Sequence, residues 1–273
     1  MRMLGVSTVG IPGTDTERQM ALIAGAGFDC VFTMYNRGDP IKKWADAAEK
    51  NGHFYEALHA PFGGVNSLWE EGAEGEDYLA FMLSRIDGCA EIGVGKCVMH
   101  VTVGSSAPPV SEIGMERFRR MCNYGHKKNV RLAFENLEPL PHIDSVMTLA
   151  DGFHGFLWDC GHNLCYTPHI DMPAKFGASL IGVHVHDNRG VTRPGDIHYR
   201  DDLHLLPFDG TLDWQWFADK LRAMPSVPLT LELSRANGMS APRAPIDYSA
   251  MDPSAFFAEA YERAQKLREM TGC

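Results

Sequence analysis

A chain of 273 residues with 45% hydrophobic and 22% charged residues carries enough apolar material for a sizeable core and has no compositional mark of disorder. Its formal net charge is -10 and its 25 Lys and Arg are scattered without a run, so no polyanion-binding stripe is visible and nucleic acid is not the expected partner. No stretch reaches the ~20 apolar residues of a membrane span and the amino terminus runs straight into a strand-like segment, which makes a cytoplasmic location the expectation.

In chain order, short apolar runs alternate with longer segments of helical spacing. Strands are predicted at 3–8, 30–35, 55–60, 96–101, 131–136, 155–160, 180–187 and 228–234. Helices are predicted at 16–26, 41–50, 74–92, 112–126, 143–150, 212–223 and 253–268, and in the third of these Leu79, Met82, Leu83, Ile86 and Ala90 fall on one face. Start signals are Asp15 with Thr16, Ser111, Asp144, and Asp252 before Pro253. Continuous apolar strands separated by helices imply strands covered on both faces, hence a parallel sheet with crossover helices. Eight such units fit one closed (β/α)8 TIM barrel, which needs ~250 residues, and the whole of 1–273 is expected to form that single domain. No GxGxxG turn follows the first strand, which weighs against a doubly wound nucleotide-binding sheet.

Seven cysteines contain no CxxC pair and sit mostly in apolar stretches, so they read as reduced, buried thiols. Two long loops, 188–210 and 235–252, follow strands, which in a barrel places them on the catalytic face.

Four strands end on a side chain that a buried strand should avoid: Glu135, Asp159, His184 and Glu232. In a barrel the carboxyl ends of strands five to eight are neighbours, so these four side chains can converge on one point of the rim. Three carboxylates in a poorly solvated pocket repel one another unless a counter-ion intervenes, and a divalent cation answers that need. Three carboxylates with one imidazole suit Mn, Co, Mg or Zn without choosing among them.

These residues, together with Asn136, the Asp159 to His162 spacing, His184-Val-His186-Asp187-Asn188, the Asp202-Leu203-His204 run before Gly210, and Glu232, resemble the xylose-isomerase-like barrel superfamily, which includes sugar isomerases, ketose epimerases, inosose dehydratases and endonuclease IV. The resemblance covers nearly the whole chain. It implies that Glu135, Asp159, His184 and Glu232 hold a metal, and that Glu135 and Glu232 are also the catalytic acid/base pair of a sugar isomerase or epimerase. A small sugar or polyol-derived substrate follows, and dimers or tetramers are common among such proteins. An inosose-type dehydratase is the alternative within the same chemistry.

His59, His100, His162, Asp202 and His204 are expected to surround the four ligands and contact substrate. The same five residues also match the larger ligand set of endonuclease IV, which makes a zinc phosphodiesterase the rival reading. Arg189, with Arg193 and Arg200 in the same loop, is a candidate anion or substrate clamp. Phe62-Gly63-Gly64-Val65 and Trp69, after the third strand, are a candidate aromatic wall over a sugar, with core packing the alternative for Trp69. His186 lies on the same side as His184 by strand alternation and is a candidate orienter, Asp187 holds a ligand imidazole or caps the following turn, and Trp158 is expected to point to the helices. Glu138 follows Glu135 too closely for the family's further substrate-binding glutamate to be assigned.

Overall fold

The computed structural model describes residues 1–137, 140–191, 199–235 and 247–272. Its parallel strands are β1 (Leu4–Ser7), β2 (Cys30–Met34), β3 (Phe54–His59), β4 (Lys96–His100), β5 (Arg131–Glu135), β6 (Gly155–Asp159), β7 (Leu180–Val185) and β8 (Leu229–Leu231). They close into a barrel in sequence order, with β8 paired back onto β1. The fold is the expected (β/α)8 TIM barrel.

The surrounding helices are α1 (Thr16–Ala26), α2 (Ile41–Lys50), α3 (Ala73–Glu91), α4 (Glu112–Lys128), α5 (Leu140–Val146), α6 (Cys160–Tyr166), α7 (Met172–Phe176), α8 (Trp214–Arg222) and α9 (Pro253–Met270). Three of the four start signals act as expected. The carboxylates of Asp15 and Asp252 accept from the backbone N–H of Arg18 and Ser254, at 2.8 and 2.9 Å, and the Ser111 hydroxyl accepts from Gly114 N–H at 3.2 Å. Asp144 does not cap, because α5 begins earlier, at Leu140, and continues into a tighter turn at Met147–Leu149.

Two further corrections lie between β6 and β8. The segment after β6 contains α6 and α7, which were not expected: at seven and five residues they are too short to display a helical period. They are set instead by caps, from Asp159 and Asp171, whose carboxylates accept from His162 and Ala174 N–H. The seventh strand also stops at Val185 rather than continuing to Asp187. Asp187 leaves the parallel ladder to pair antiparallel with Leu205.

Strand alternation stacks the barrel interior in tiers. At the floor, Lys96 Nζ lies 2.8 Å from Glu56 Oε1 and Thr230 Oγ1 donates to the other carboxylate oxygen, all buried. Above it Phe32, Ala57, Val98, Ala133, Leu157 and Ile181 form an apolar tier. Two residues further along the same strands stand His59, His100, Glu135 and Asp159, with His100 in register with Glu135 and Asp159 with His184. A second apolar layer lies between strands and helices and contains Trp158, fully buried against Trp216 and Phe217. The six described cysteines are buried free thiols, and Cys273 lies outside the described residues. No helix among the described residues is long and apolar enough to cross a membrane.

Candidate metal centre

The upper tier gathers six histidines and four carboxylates into overlapping groups whose ligand atoms lie within 4.8 Å of one another. One group is the predicted set of Glu135, Asp159, His184 and Glu232. His184 Nδ1 lies between the two glutamates, 2.9 Å from Glu135 Oε1 and 3.2 Å from Glu232 Oε2. Phe32 stacks on the His184 ring at 4.5 Å and fixes its plane.

A second group is His59, His100 and Glu135. His59 Nε2 lies 2.9 Å from Glu135 Oε2, while its Nδ1 faces the Ala60 carbonyl oxygen at 2.8 Å. His100 Nε2 comes within 3.0 Å of the same glutamate oxygen, out of line for a hydrogen bond, so that both its ring nitrogens are buried without a hydrogen-bond partner. Burial holds the His100 pKa below its ordinary value, against the pull of Glu135. A neutral imidazole nitrogen beside a carboxylate oxygen, unbonded to it and shielded from water, is what a cation with ligands at ~2.0–2.2 Å requires. The donor set therefore fits a divalent metal.

The remaining groups join His162, His186, Asp202 and His204, and link them back through Asp159 and Glu232. His162 Nε2 and His204 Nε2 each lie 3.2 Å from Asp202 Oδ2. The sequence distance from β7 to Asp202 is bridged by a pinned loop. Asp187 and Leu205 exchange backbone hydrogen bonds at 2.9 Å, and the Asp187 carboxylate accepts from Phe208 and Leu212 N–H and from the Trp214 indole. Asp187 is thus a loop anchor and does not touch a ligand imidazole. Asn188 ties the same loop to α6, donating to Gly161 O at 2.9 Å and to Asp202 Oδ1 at 3.3 Å. His204 sits in the left-handed region at φ 48°, an unusual conformation for a side-chain-bearing residue and one that functional sites tolerate.

Asn136 brackets Asp159, accepting from its backbone N–H at 2.8 Å and donating to its carbonyl at 2.9 Å. Tyr166 donates its hydroxyl to Asp202 at 3.3 Å. Neither role has a signal in the sequence, because both depend on where α6 turns.

The electrostatics follow from mutual pairing in a dry tier. Burial opposes charge on His184, yet Glu232 and Glu135 hold its pKa well above the ordinary value. Burial likewise opposes charge on His162, and Asp159 and Asp202 raise it. His204 is carried up to about 9, its burial outweighed by Asp202. Against their own burial, Glu135 and Asp202 are drawn well down, Glu135 by His184 and His100, and Asp202 by His204 and His162.

Glu232 and His204 also line a cavity of about 260 Å³ with Ser7, Thr8, Phe32, Met34 and Ser234. The Glu232 side chain is 15% exposed and that of Glu135 is fully buried.

Of the other predicted contacts, Trp69 is a correction. It is 2% exposed, donates its indole N–H to Val101 O at 2.8 Å, and packs against Phe118 and His142 beneath the helices. The aromatic ring at the centre is Phe62, which stacks on His100 at 4.6 Å and is 39% exposed. Arg189 is half-buried where the chain leaves β7, and Arg200 is exposed with its guanidinium 6.0 Å from the Tyr199 ring centre. Arg193 and Glu138 lie outside the described residues.

A family described as the xylose isomerase-like TIM barrel matches residues 20–254. The chain belongs to that family. A curated relative, the uncharacterized protein y4fM of Sinorhizobium fredii, is 28% identical over 204 residues, covering 68% of this chain and 59% of its own length. The chain therefore spans about three fifths of that relative. Among solved structures, D-psicose 3-epimerase of Clostridium cellulolyticum superposes with a TM-score of 0.76 at 14% identity, covering 99% of this chain and all of the other. An L-ribulose 3-epimerase gives 0.70 at 14% identity, with 100% and 99% covered. A fusion of a xylose isomerase-like TIM barrel with a 4-hydroxyphenylpyruvate dioxygenase gives 0.75 at 19% identity; the match covers 99% of this chain and 43% of the fusion. At such identities these likenesses speak for the fold alone.

Proposed function

We propose that this chain is a divalent-metal-dependent isomerase or epimerase acting on a sugar or a polyol-derived ketone. The observation that carries the reading is the pair Glu135 and Glu232 on either side of His184, with Glu232 opening onto the cavity. Glu135, Asp159, His184 and Glu232 would hold the cation, whose contribution is to polarise a carbonyl and an adjacent hydroxyl and so acidify the C–H between them. Glu232, which reaches both cluster and cavity, takes a substrate proton. Glu135 has its two oxygens engaged by His184 on one side and by His59 and His100 on the other, so it serves the opposite face only through the oxygen that a hydrogen bond releases. Ser7 and Thr8 at the cavity wall suit the hydroxyls of a neutral sugar. Incubation of metal-loaded protein with ketoses and inososes in D2O tests this directly. Deuterium uptake at the carbon next to the carbonyl is expected, with loss of water where the substrate carries a suitable β-hydroxyl. Absence of uptake from every such ketone overturns it.

A second reading, a zinc phosphodiesterase, is favoured by one specific observation: His59 with His100, and His162 with Asp202 and His204, assemble two ligand groups beyond the four-residue set. Three bound zinc ions per chain together with cleavage of an abasic duplex would establish it in place of the first.

A further inference from the structure

His186 occupies a place in the cluster that is costly to build. It is completely buried, its Nδ1 has no hydrogen-bond partner, and its ring lies flat on that of His204 with centroids 3.8 Å apart and planes 12° apart. Room for the ring exists only because residue 161 is glycine, since a Cβ there would stand 2.2 Å from His186 Cε1. An unpartnered buried nitrogen is destabilising, so the remaining contacts of this ring must matter.

Those contacts converge on one carboxylate. His186 Nε2 lies 2.9 Å from Asp159 Oδ1 and 3.0 Å from Oδ2, and Oδ1 also accepts the backbone N–H of His162 at 2.6 Å. Asp202 Oδ1, the other carboxylate oxygen near Nε2, stands off at 3.9 Å. Facing two acceptor oxygens, Nε2 must carry the proton and donate it. The hydrogen bond of Nε2 goes to Oδ2 while Oδ1 takes the His162 N–H, so each carboxylate oxygen has its own donor and the group is held at both ends.

We infer that His186 is a positioning residue for Asp159: its Nε2–H at Oδ2, with the His162 backbone N–H at Oδ1, fixes the plane and direction of the carboxylate toward the cluster it shares with Glu135, His184 and Glu232. The inference rests on the metal-site reading above and goes beyond it, because it names the side chain that sets how Asp159 faces the metal. The flat packing on His204 fixes the donor's direction, so that the two halves of the cluster are mechanically joined at this ring.

Two variants separate the donor from the packing. His186→Phe keeps a flat ring against His204 and removes the N–H, whereas His186→Gln restores a donor on a shorter side chain. Affinity for Co2+ or Zn2+ is measured by competition with a chromophoric chelator, alongside metal count and the visible spectrum of the Co2+ form. For His186→Phe the expected result is a 10–100-fold weaker affinity at unchanged stoichiometry, with a changed Co2+ spectrum as Asp159 loses its fixed orientation. His186→Gln is expected to recover most of the affinity and the wild-type spectrum. Wild-type affinity and spectrum in His186→Phe would overturn the inference, as would loss of one whole equivalent of metal, which would make His186 a ligand itself. Because the readout is binding, it stands apart from deuterium uptake: wild-type protein that binds metal but exchanges no ketone defeats the isomerase reading and leaves this test intact.

Discussion

Asp187 and Leu205 exchange both of their backbone hydrogen bonds, each 2.9 Å long, across an isolated antiparallel bridge. This bridge and the side-chain bonds around it carry Asp202 and His204 back over the barrel mouth. Asp187→Ala removes the acceptor of several buried donors at once, at ~1–3 kcal/mol for each donor left unpaired. Urea denaturation is expected to show a loss of more than ~2 kcal/mol, and the variant to bind metal more weakly although residue 187 touches no ligand. A change below ~0.5 kcal/mol would show that the loop holds without its anchor.

Glu135 and Glu232 should separate in their effects. Glu135 is fully buried with four imidazoles within 3.7 Å of its oxygens, so Glu135→Gln is expected to lose bound metal on dialysis. Glu232→Gln, which leaves an amide oxygen among the ligands at the cavity edge, is expected to hold metal more tightly than Glu135→Gln but to lose ~10²–10⁴-fold in deuterium uptake, the usual contribution of a general acid/base. Metal analysis beside exchange by NMR decides the matter; equal metal loss in both variants would remove the distinction.

Metal removal should make stability depend on alkaline pH. In the metal-free protein His204 has its pKa lifted to about 9, with His162 and His184 also raised. A raised histidine adds stability that is whole below its unfolded pKa of ~6.5 and disappears as pH climbs through the folded value. The melting temperature of the chelated protein should therefore fall between pH 7 and pH 10, and that of the loaded protein should fall less. At the acid end the depressed Glu135 and Asp202 work in the opposite sense, so both forms lose stability as pH drops below ~4. A flat alkaline limb in the chelated protein would contradict this account.

Of the two aromatic residues after β3, Trp69 is core and Phe62 stands at the site. Trp69→Ala should cost ~3–5 kcal/mol, as core tryptophans do, with activity per folded molecule little changed. Phe62→Ala should leave stability within ~1 kcal/mol and raise KM for the ketone, by removing the ring that shields His100. Steady-state kinetics with matched urea curves would expose the reverse pattern.

The barrel was readable because each strand announces itself by a compact apolar run, and four of them mark their catalytic end by a charged or metal-binding residue where the run stops. Alternation then carries Val98 to His100, Ala133 to Glu135 and Leu157 to Asp159, so the inward direction of these ligands follows from period two alone. What sequence does not carry is the course of the chain outside regular period. The start of α6 depends on a cap from Asp159, which sequence reads only as a ligand. Asp202 and His204 reach the centre through the Asp187 anchor and Asn188, polar residues that sequence cannot distinguish from turn formers. Trp69 and Phe62 lie in one connection, and only the folded chain shows that Trp69 packs on Phe118 while Phe62 stacks on His100.

The floor and the rim of the barrel each hold buried charge, and between them lies the tier of Phe32, Ala57, Val98, Ala133, Leu157 and Ile181. That tier is a dielectric partition: its apolar side chains stand between Lys96 and Glu56 below and the histidines above. The two charged compartments can thus be edited independently. Lys96→Met, which strands Glu56, is expected to destabilise the barrel by ~3–5 kcal/mol while leaving the rim's affinity for metal where it was, measured by chelator competition.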